Sequence, residues 1–356
     1  MENNFENLPT KQDCISKRVS DEISVIMAAD KKYAPYLGVT IKSIIENSSH
    51  NKNYTIYILD GGIERADKIR LNFMQTENIK FVYIAIENYF SAEENDIFYI
   101  HSHFSLATYF RFFIPQIFKN FEKVLYCDCD GVFLEDVANL YDTDIKDYWL
   151  GAVRDALCIQ TKYIPKITEY FNNVLRLKNP NNYFQAGVLL FNINELKNFN
   201  FKNLCIETLK HYKDLKFLDQ CVLNISCENH IYYIDNKWNV ETFIKNLITT
   251  DKCFLNEDEY LNFKQTYENP KFIHFCGVEK PWKKPQIEYS EFFWHYARLT
   301  PFYEQIIYTN KTKTNKKIAK NKNKSSNIFH HVFSINNENK HKVITLLGIK
   351  FKFKRG

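Results

Sequence analysis

The sequence predicts an α/β fold with a mainly parallel central sheet, and three observations lead to this prediction. Short apolar runs alternate with amphipathic segments, which is the pattern of strands joined by crossover helices. The 356 residues are 45% hydrophobic with only 9 Gly and 9 Pro, so the chain can bury a substantial core. Acidic residues directly follow several predicted strands, at the edge where open α/β sheets bind ligands.

The elements can be assigned in chain order. Apolar runs predict strands at 23–29, 54–59 and 80–84. Residues 36–46 form the first intervening helix, since Leu37, Ile41, Ile44 and Ile45 recur at helical spacing. A second helix is expected at 64–74. The remaining predictions are helices at 105–118, 217–224 and 290–308, and strands at 123–127, 149–153, 184–192 and 271–275.

Charge divides the chain into a body and a tail. Residues 310–356 hold 13 Lys or Arg and one acid, Glu338, whereas the preceding residues carry a net charge of −7. We therefore predict a polar N-terminal extension at 1–21, one catalytic domain at 22–309 and a basic C-terminal tail at 310–356.

The basic tail has three interpretations. It could bind an anionic membrane surface, since each basic residue near such a surface contributes about 1 kcal/mol. It could instead bind nucleic acid, or it could be a solvated segment. The body has no nucleic-acid-binding pattern, so we expect a membrane partner and no nucleic acid.

Composition also favours a cytoplasmic protein. The first 20 residues lack the apolar core of a signal peptide, and no run of about 18 apolar residues is present. The nine cysteines are scattered without a Cys-x-x-Cys pair, which indicates reduced thiols rather than disulfides or structural zinc.

The most informative motif is Asp128-Cys129-Asp130, which follows the predicted strand at 123–127. In an extended chain alternate side chains share a face, so both carboxylates point the same way. Two carboxylates suit a hard divalent cation. The alternative is an ordinary solvated turn.

A second motif runs from His274 through Gly277 and Lys280 to Trp282. A histidine at a strand end can bind a metal, and a lysine shortly after a glycine can reach an anion. The alternative is a surface loop in which His274 caps the strand.

Together these motifs resemble those of the family 8 glycosyltransferases, and most of all the bacterial lipopolysaccharide and lipooligosaccharide glucosyl- and galactosyltransferases. Five segments match in the family's order, over about residues 22–300. They are Ala28-Ala29-Asp30 with Tyr33, Leu125 to Asp130, Phe184-Gln185-Ala186-Gly187-Val188, Leu218-Asp219-Gln220, and His274-x-x-Gly277-x-x-Lys280-Pro281-Trp282. The resemblance implies a Rossmann-like GT-A fold and retaining, metal-dependent transfer from a nucleotide sugar.

The resemblance also implies roles for individual residues. Asp128, Asp130 and His274 would bind manganese or magnesium, and Lys280 with the amide of Gly277 would hold the diphosphate of a UDP-sugar. The implied nucleotide- and donor-binding residues also include Ala28, Ala29, Asp30, Lys32, Arg111 and Cys129.

Around the donor sugar the resemblance implies Asp155, Gln185, Ala186, Gly187, Asp219 and Gln220, of which Asp155, Asp219 and Gln220 would be catalytic. Gln220 lies where a double displacement needs a nucleophile. Because an amide is a poor nucleophile, we favour attack by the acceptor from the same face as the departing phosphate.

Two residues depart from the family pattern. Gln185 stands where the family usually has Asn, which puts the choice between glucose and galactose in question. Lys32 stands where a relative has Asn, which could change nucleotide preference.

The predicted function is transfer of glucose or galactose from a UDP-sugar to a lipopolysaccharide, lipooligosaccharide or other glycan acceptor, peripherally at the cytoplasmic face of the inner membrane. One alternative is a haloacid-dehalogenase-like phosphatase, because Asp128-Cys129-Asp130-Gly131-Val132 also resembles its nucleophile loop. Another is a catalytically inactive glycan-binding relative.

Overall fold

The computed structural model describes residues 22–91, 94, 96–100, 105–156, 165–243 and 256–309, and the strand backbones at 333–338, 341–346 and 349–354. Contacts divide the chain into two compact units, Met1–Tyr303 and Glu304–Gly356. The extension at 1–21 and residues 310–332 lie outside the described part, so the proposed domain boundaries stay predictions. In the described part, no helix has the length and apolar character needed to cross a bilayer.

The described residues of the first unit form ten strands and ten α-helices. The strands are β1 Glu22–Ala29, β2 Asn53–Asp60, β3 Ile79–Ala85, β4 Lys123–Cys127, β5 Gly131–Phe133, β6 Leu150–Arg154, β7 Phe184–Asn192, β8 Ile231–Tyr233, β9 Val240–Glu241 and β10 Phe272–His274. The helices are α1 Ala34–Asn47, α2 Arg65–Asn72, α3 Ile114–Ile117, α4 Val137–Tyr141, α5 Pro165–Glu169, α6 Ile193–Leu196, α7 Phe201–His211, α8 Leu218–Ser226, α9 Glu257–Glu268 and α10 Ser290–Ala297.

The central sheet has seven strands in the order β3-β2-β1-β4-β7-β6-β8. Four of its pairings are parallel, and β7 runs antiparallel to both neighbours. Every residue of β7 is buried, which is expected of an apolar strand covered on both faces of the sheet. The predicted α/β class with a mainly parallel sheet is confirmed.

A small second sheet lies beyond the end of β4 and has the order β5-β10-β9. The antiparallel β5–β10 pairing puts His274 opposite Gly131, the residue after Asp130. The parallel β9–β10 pairing puts Glu241 beside His274. Three short strands therefore bring the two motifs of the sequence together.

Two predicted helices differ from the observed ones, and a proline explains each difference. Residues 105–118 form a 3-10 helix, Leu106–Phe113, followed by α3, and the amide of Ile114 donates to the carbonyl of Arg111. Pro115 has no N–H with which to make the corresponding α-helical bond. The predicted helix 290–308 ends at Ala297 and helical structure resumes at 303–309, because Pro301 lies between them.

In the second unit the backbone forms an antiparallel sheet that the sequence did not predict. Its strands are β11 Phe333–Glu338, β12 His341–Leu346 and β13 Ile349–Lys354, paired in chain order. No strand was expected at these residues from the sequence, and membrane attachment of the basic tail stays a prediction.

Candidate active site

A cavity of about 380 Å³ opens where the central sheet meets the small sheet. Because β1 and β4 are adjacent and parallel, the residues that follow them lie at the same edge. The predicted site residues that line the cavity are Ala28, Ala29, Asp30, Arg111, Asp128, Cys129, Asp130, Asp155, Gln185, Ala186, Gly187, Asp219, Gln220, His274, Gly277 and Lys280.

Lys32 is the exception among the predicted residues. It is exposed and does not belong to the lining, and its backbone amide donates to Asp30 Oδ1 over 2.8 Å. The Asp30 carboxylate thereby closes the turn between β1 and α1. Asp60 likewise closes the turn after β2, where its carboxylate accepts from the amides of Gly62 and Ile63.

Asp128, Asp130 and His274 form a group of metal-ligand type at the cavity wall. One ligand atom from each lies within 4.8 Å of the others. His274 Nε2 is 3.1 Å from Asp130 Oδ1 and 3.7 Å from Asp128 Oδ2. Neighbouring ligands in an octahedral shell of about 2.1 Å radius lie about 3 Å apart, so these side chains fit a divalent cation.

Lys280 neutralises part of this acidic group. Its ammonium is buried and bonds to Asp130 Oδ2 at 2.5 Å and to the carbonyl of Phe275 at 2.6 Å. Burial disfavours the charge on Asp130, but Lys280 and His274 outweigh it and hold the pKa of Asp130 below its usual value. Asp130 is therefore an anion at neutral pH. Gly277 lies in the turn between His274 and Lys280 and has a φ of +74°, a conformation that favours glycine.

Arg111 connects the metal group with the inner part of the cavity. Its buried guanidinium donates to Asp128 Oδ1 over 2.8 Å and to the carbonyl of Ala186. Burial opposes its charge, yet Asp128 and Asp219 raise its pKa, so it stays a cation. Arg111 is therefore a buried cation and does not lie on the protein surface.

Asp219 presents a carboxylate oxygen that has a charged neighbour but no hydrogen bond. Its Oδ1 accepts from Thr108 Oγ1. Its Oδ2 lies 3.0 Å from Arg111 Nε, but that N–H donates to the carbonyl of Thr108 instead. Burial, together with the charge of Asp128, raises the pKa of Asp219 to about 6. This oxygen is buried, and its charged neighbour Arg111 offsets part of its negative charge.

Gln220 is held at both ends of its amide. Its Oε1 accepts from the amide of Ala186 over 3.1 Å, and its Nε2 donates to Asp155 Oδ2 over 2.8 Å. All three residues are buried. The side chain thus joins the N-terminal end of β7 to Asp155, the residue after β6.

Sequence reasoning missed Asn239 and Glu241, which flank Val240 on the β9 side of the site. Glu241 lines the cavity, and its Oε1 accepts from the amide of Ala156. Burial and nearby Asp155 raise its pKa well above the usual range. No motif marks these residues, because β9 has only two residues and gains its place by pairing with β10.

Comparison with known proteins agrees with this geometry. The family model described as "Glycosyl transferase family 8" matches residues 24–286. The chain belongs to glycosyltransferase family 8. That membership argues against the phosphatase alternative, since the Asp128 loop follows the fourth strand and is completed by His274 and Lys280.

Curated relatives extend over most of the body. The general stress protein A of Bacillus subtilis is 29% identical over 290 residues, which are 79% of this chain and 95% of the relative. A lipopolysaccharide 1,2-glucosyltransferase of Escherichia coli is 26% identical over 271 residues, 74% of each protein.

Among solved structures, the galactosyltransferase LgtC in complex with donor and acceptor sugar analogs matches with a TM-score of 0.66. The identity is 25%, and the match covers 78% of this chain and 96% of LgtC. The family 8 chain therefore has the Rossmann-like GT-A glycosyltransferase fold.

Proposed function

We propose that the protein is a metal-dependent, retaining hexosyltransferase that moves glucose or galactose from a UDP-sugar to a glycan acceptor. One observation carries the proposal: in a family 8 chain, Asp128, Asp130 and His274 converge beside Lys280 in a cavity at the carboxyl edge of the sheet. This arrangement combines a cation site with a fixed ammonium, as a departing diphosphate requires.

Asp128, Asp130 and His274 would hold manganese or magnesium. A divalent cation there would supply Lewis-acid neutralisation of the charge that develops on the diphosphate. Lys280 and the amide of Gly277 would contact phosphate oxygens, and the backbone around Ala28 and Ala29 would contact the nucleoside. These roles are consistent with the placement of all seven residues on the cavity wall.

The donor sugar would lie toward Asp219 and Gln185. Asp219 lines the cavity, and the charge of Arg111 favours its ionised form, so its carboxylate is the proposed acceptor for a sugar hydroxyl. Glucose and galactose are both consistent with the names of the relatives, a glucosyltransferase and a galactosyltransferase.

For the chemical step we propose attack by the acceptor hydroxyl on the same face that the diphosphate leaves. The bond from the anomeric carbon to the phosphate oxygen breaks, the bond to the acceptor oxygen forms, and the phosphate oxygen takes the acceptor's proton. The bonds of Gln220 to Ala186 and Asp155 favour a positioning role for its amide over nucleophilic attack.

The role of Gln220 can be tested by substitution. We expect Gln220→Ala to lower kcat by about 10-fold or more, because Asp155 and the Ala186 amide each lose a buried partner. The measurement is turnover of UDP-glucose and UDP-galactose. Near-normal turnover would show that the side chain has no role at the reacting carbon.

The test of the proposed function is release of UDP from UDP-glucose and UDP-galactose with manganese, with and without a chelator. We expect hydrolysis that the chelator abolishes and that Asp130→Asn lowers by at least about 100-fold, equivalent to about 2.7 kcal/mol. Asp142→Asn, a change at an exposed carboxylate paired with Lys52, is the control.

The remaining alternatives give different results in the same assay. Release of phosphate from a generic ester without UDP release would favour a phosphatase. Tight UDP binding without turnover would favour an inactive glycan-binding relative.

The acceptor and location are proposed more broadly. We propose a lipopolysaccharide, lipooligosaccharide or other lipid-linked saccharide as acceptor, which is supported by the lipopolysaccharide glucosyltransferase among the relatives. The 13 basic residues of 310–356 support peripheral attachment to the cytoplasmic face of the inner membrane, through its anionic lipids.

A further inference from the structure

A chain of buried hydrogen bonds leads from the backbone of β7 to the histidine of the metal group. The amide of Gly187 donates to Gln185 Oε1 over 2.5 Å, and Asn239 Nδ2 lies 2.8 Å from the same oxygen. Asn239 Oδ1 in turn lies 3.0 Å from His274 Nδ1. Asn239 and His274 are 2% and 1% exposed, so water cannot easily replace either partner.

The backbone amide of Gly187 fixes which atom donates and which accepts in every hydrogen bond of this series. A backbone N–H can only donate, so the Gln185 atom it meets must be the carbonyl oxygen. Asn239 must then turn its NH₂ group toward Gln185, which leaves its carbonyl oxygen facing His274. That oxygen can only accept, so Nδ1 of His274 carries the hydrogen.

This orientation matters because Asp130 acts on the other ring nitrogen. With Asp130 Oδ1 only 3.1 Å from Nε2, the carboxylate alone would favour a hydrogen on Nε2, which would block coordination there. In that tautomer the lone pair of Nδ1 would face the carbonyl oxygen of Asn239. The hydrogen bonds of Asn239 and Gln185 therefore disfavour the Nε2–H tautomer, in which Nε2 cannot bind a cation.

Gly187 gives the imidazole the room to take this position. A Cβ at residue 187 would lie 2.3 Å from His274 Cε1 and 2.8 Å from Nδ1. Contacts this short would displace the ring. The glycine thus both starts the hydrogen-bond chain and permits the close approach of His274.

We propose that Asn239 and Gln185 are positioning residues that hold His274 as its Nδ1–H tautomer, with the Nε2 lone pair presented to the cation. The inference rests on the proposed metal dependence. It gives Gln185, which stands where the family usually has Asn, a role toward the metal in addition to its place beside the donor sugar. It gives Asn239 a role that the sequence did not indicate.

The first experiment measures affinity for Mn²⁺ by titration calorimetry on the full chain in the presence of UDP. Loss of a partner that orients a ligating histidine weakens metal affinity by about 10–100-fold, and we expect this for Asn239→Ala. Asn239→Asp keeps an acceptor for the Nδ1–H but cannot donate to Gln185 Oε1, so we expect a smaller loss of Mn²⁺ affinity than in Asn239→Ala.

The matched control is Asn192→Ala. Asn192 is also buried and donates to two carbonyls, those of Ile145 and Lys146, but it lies at the opposite end of β7. Unchanged Mn²⁺ affinity in Asn192→Ala would show that losing a buried asparagine is not enough. Affinity in Asn239→Ala within 2-fold of wild type would overturn the inference.

The second experiment observes the tautomer directly. Long-range ¹H–¹⁵N NMR spectra of histidine-labelled chain with Mg²⁺ and UDP should show His274 with a hydrogen on Nδ1, its signals being identified by His274→Gln. A hydrogen on Nε2 would contradict the inference while leaving metal dependence intact. A wild-type chain that binds no Mn²⁺ would instead reject the proposed metal site, and the inference with it.

Discussion

At the scale of single residues, Arg111 illustrates why the site tolerates so many buried acids. Its guanidinium contacts Asp128 and lies beside Asp219, and it stacks 4.5 Å above the ring of Tyr126. A buried ion pair adds little net stability when intact, because desolvation offsets the attraction. Removing one partner leaves the others as unpaired buried charges. Arg111 is therefore needed for stability.

We predict that Arg111→Ala lowers the free energy of unfolding by about 3–5 kcal/mol, because Asp128 and Asp219 lose their shared cation. Urea denaturation measures the loss. Arg65→Ala, at an exposed arginine of α2, is the control and should change the free energy by less than about 0.5 kcal/mol. A loss as small for Arg111→Ala would contradict the buried-charge argument.

Asp219 predicts a dependence of donor binding on pH. Its pKa of about 6 means that the carboxylate gains a proton as the pH falls through 6. A protonated Asp219 no longer attracts sugar hydroxyls as an anion, so affinity for a UDP-sugar should fall below about pH 6. Calorimetry between pH 5 and 8 measures this, with Asp219→Asn, which cannot titrate at this position, as the control. An equal decline in Asp219→Asn would mean that another group titrates.

The same group should affect stability in the opposite direction. Because the folded-state pKa of Asp219 is raised by burial, its contribution to stability is fully present below its unfolded value of 3.8 and is lost as the pH rises through about 6. Asp219→Asn should remove this part of the pH dependence of the unfolding free energy. The charge that binds the donor sugar is thus maintained at a cost in stability.

At the scale of secondary-structure elements, the metal group depends on the pairing of β5 with β10. Asp130 ends the loop after β4, and its backbone carbonyl accepts from the amide of Phe275 over 3.0 Å. The register then puts His274 opposite Gly131. A three-residue strand therefore decides whether the two motifs meet.

We predict that Gly131→Ala weakens Mn²⁺ binding and lowers the unfolding free energy by about 1–3 kcal/mol. A Cβ there would lie 2.2 Å from the Phe272 ring and 2.7 Å from the carbonyl of Ile273, which would force β5 away from β10. The control is Gly62→Ala, where nothing lies within 4 Å and only the positive φ is strained. Wild-type Mn²⁺ affinity in Gly131→Ala would show that the register is not essential.

The elements also show what the sequence could and could not predict. The central strands and the helices α1, α2 and α8 follow from local patterns, because their apolar residues recur with the period of the element. The metal group followed from motifs recognised as a set. Asn239 and Glu241 were missed because their positions depend on the pairing of β9 with residues more than 30 positions away. The interruptions at Pro115 and Pro301 were also missed, although a proline inside a helical pattern is a local signal for the end of a helix.

At the scale of the whole molecule, the two parts of the chain have opposite charge. The first 309 residues carry a net charge of −7 and residues 310–356 carry +12. An acidic body is repelled by an anionic membrane, whereas a basic segment is attracted to it. This charge asymmetry supports the proposed attachment of the tail to an anionic membrane surface.

The lysines of 310–326 provide the test of this attachment. We predict that replacing the seven lysines at 311, 313, 316, 317, 320, 322 and 324 with Gln weakens binding to vesicles containing anionic lipid by at least about 100-fold, since each contributes up to about 1 kcal/mol near the surface. Replacing the same lysines with Arg keeps the charge and should preserve binding.

Vesicle sedimentation measures both variants, and raised salt should release the wild-type chain, because the attraction is screened. Binding that survives the Gln replacements, or a high-salt or carbonate wash, would contradict a mainly electrostatic attachment. It would point instead to an apolar contact with the lipid.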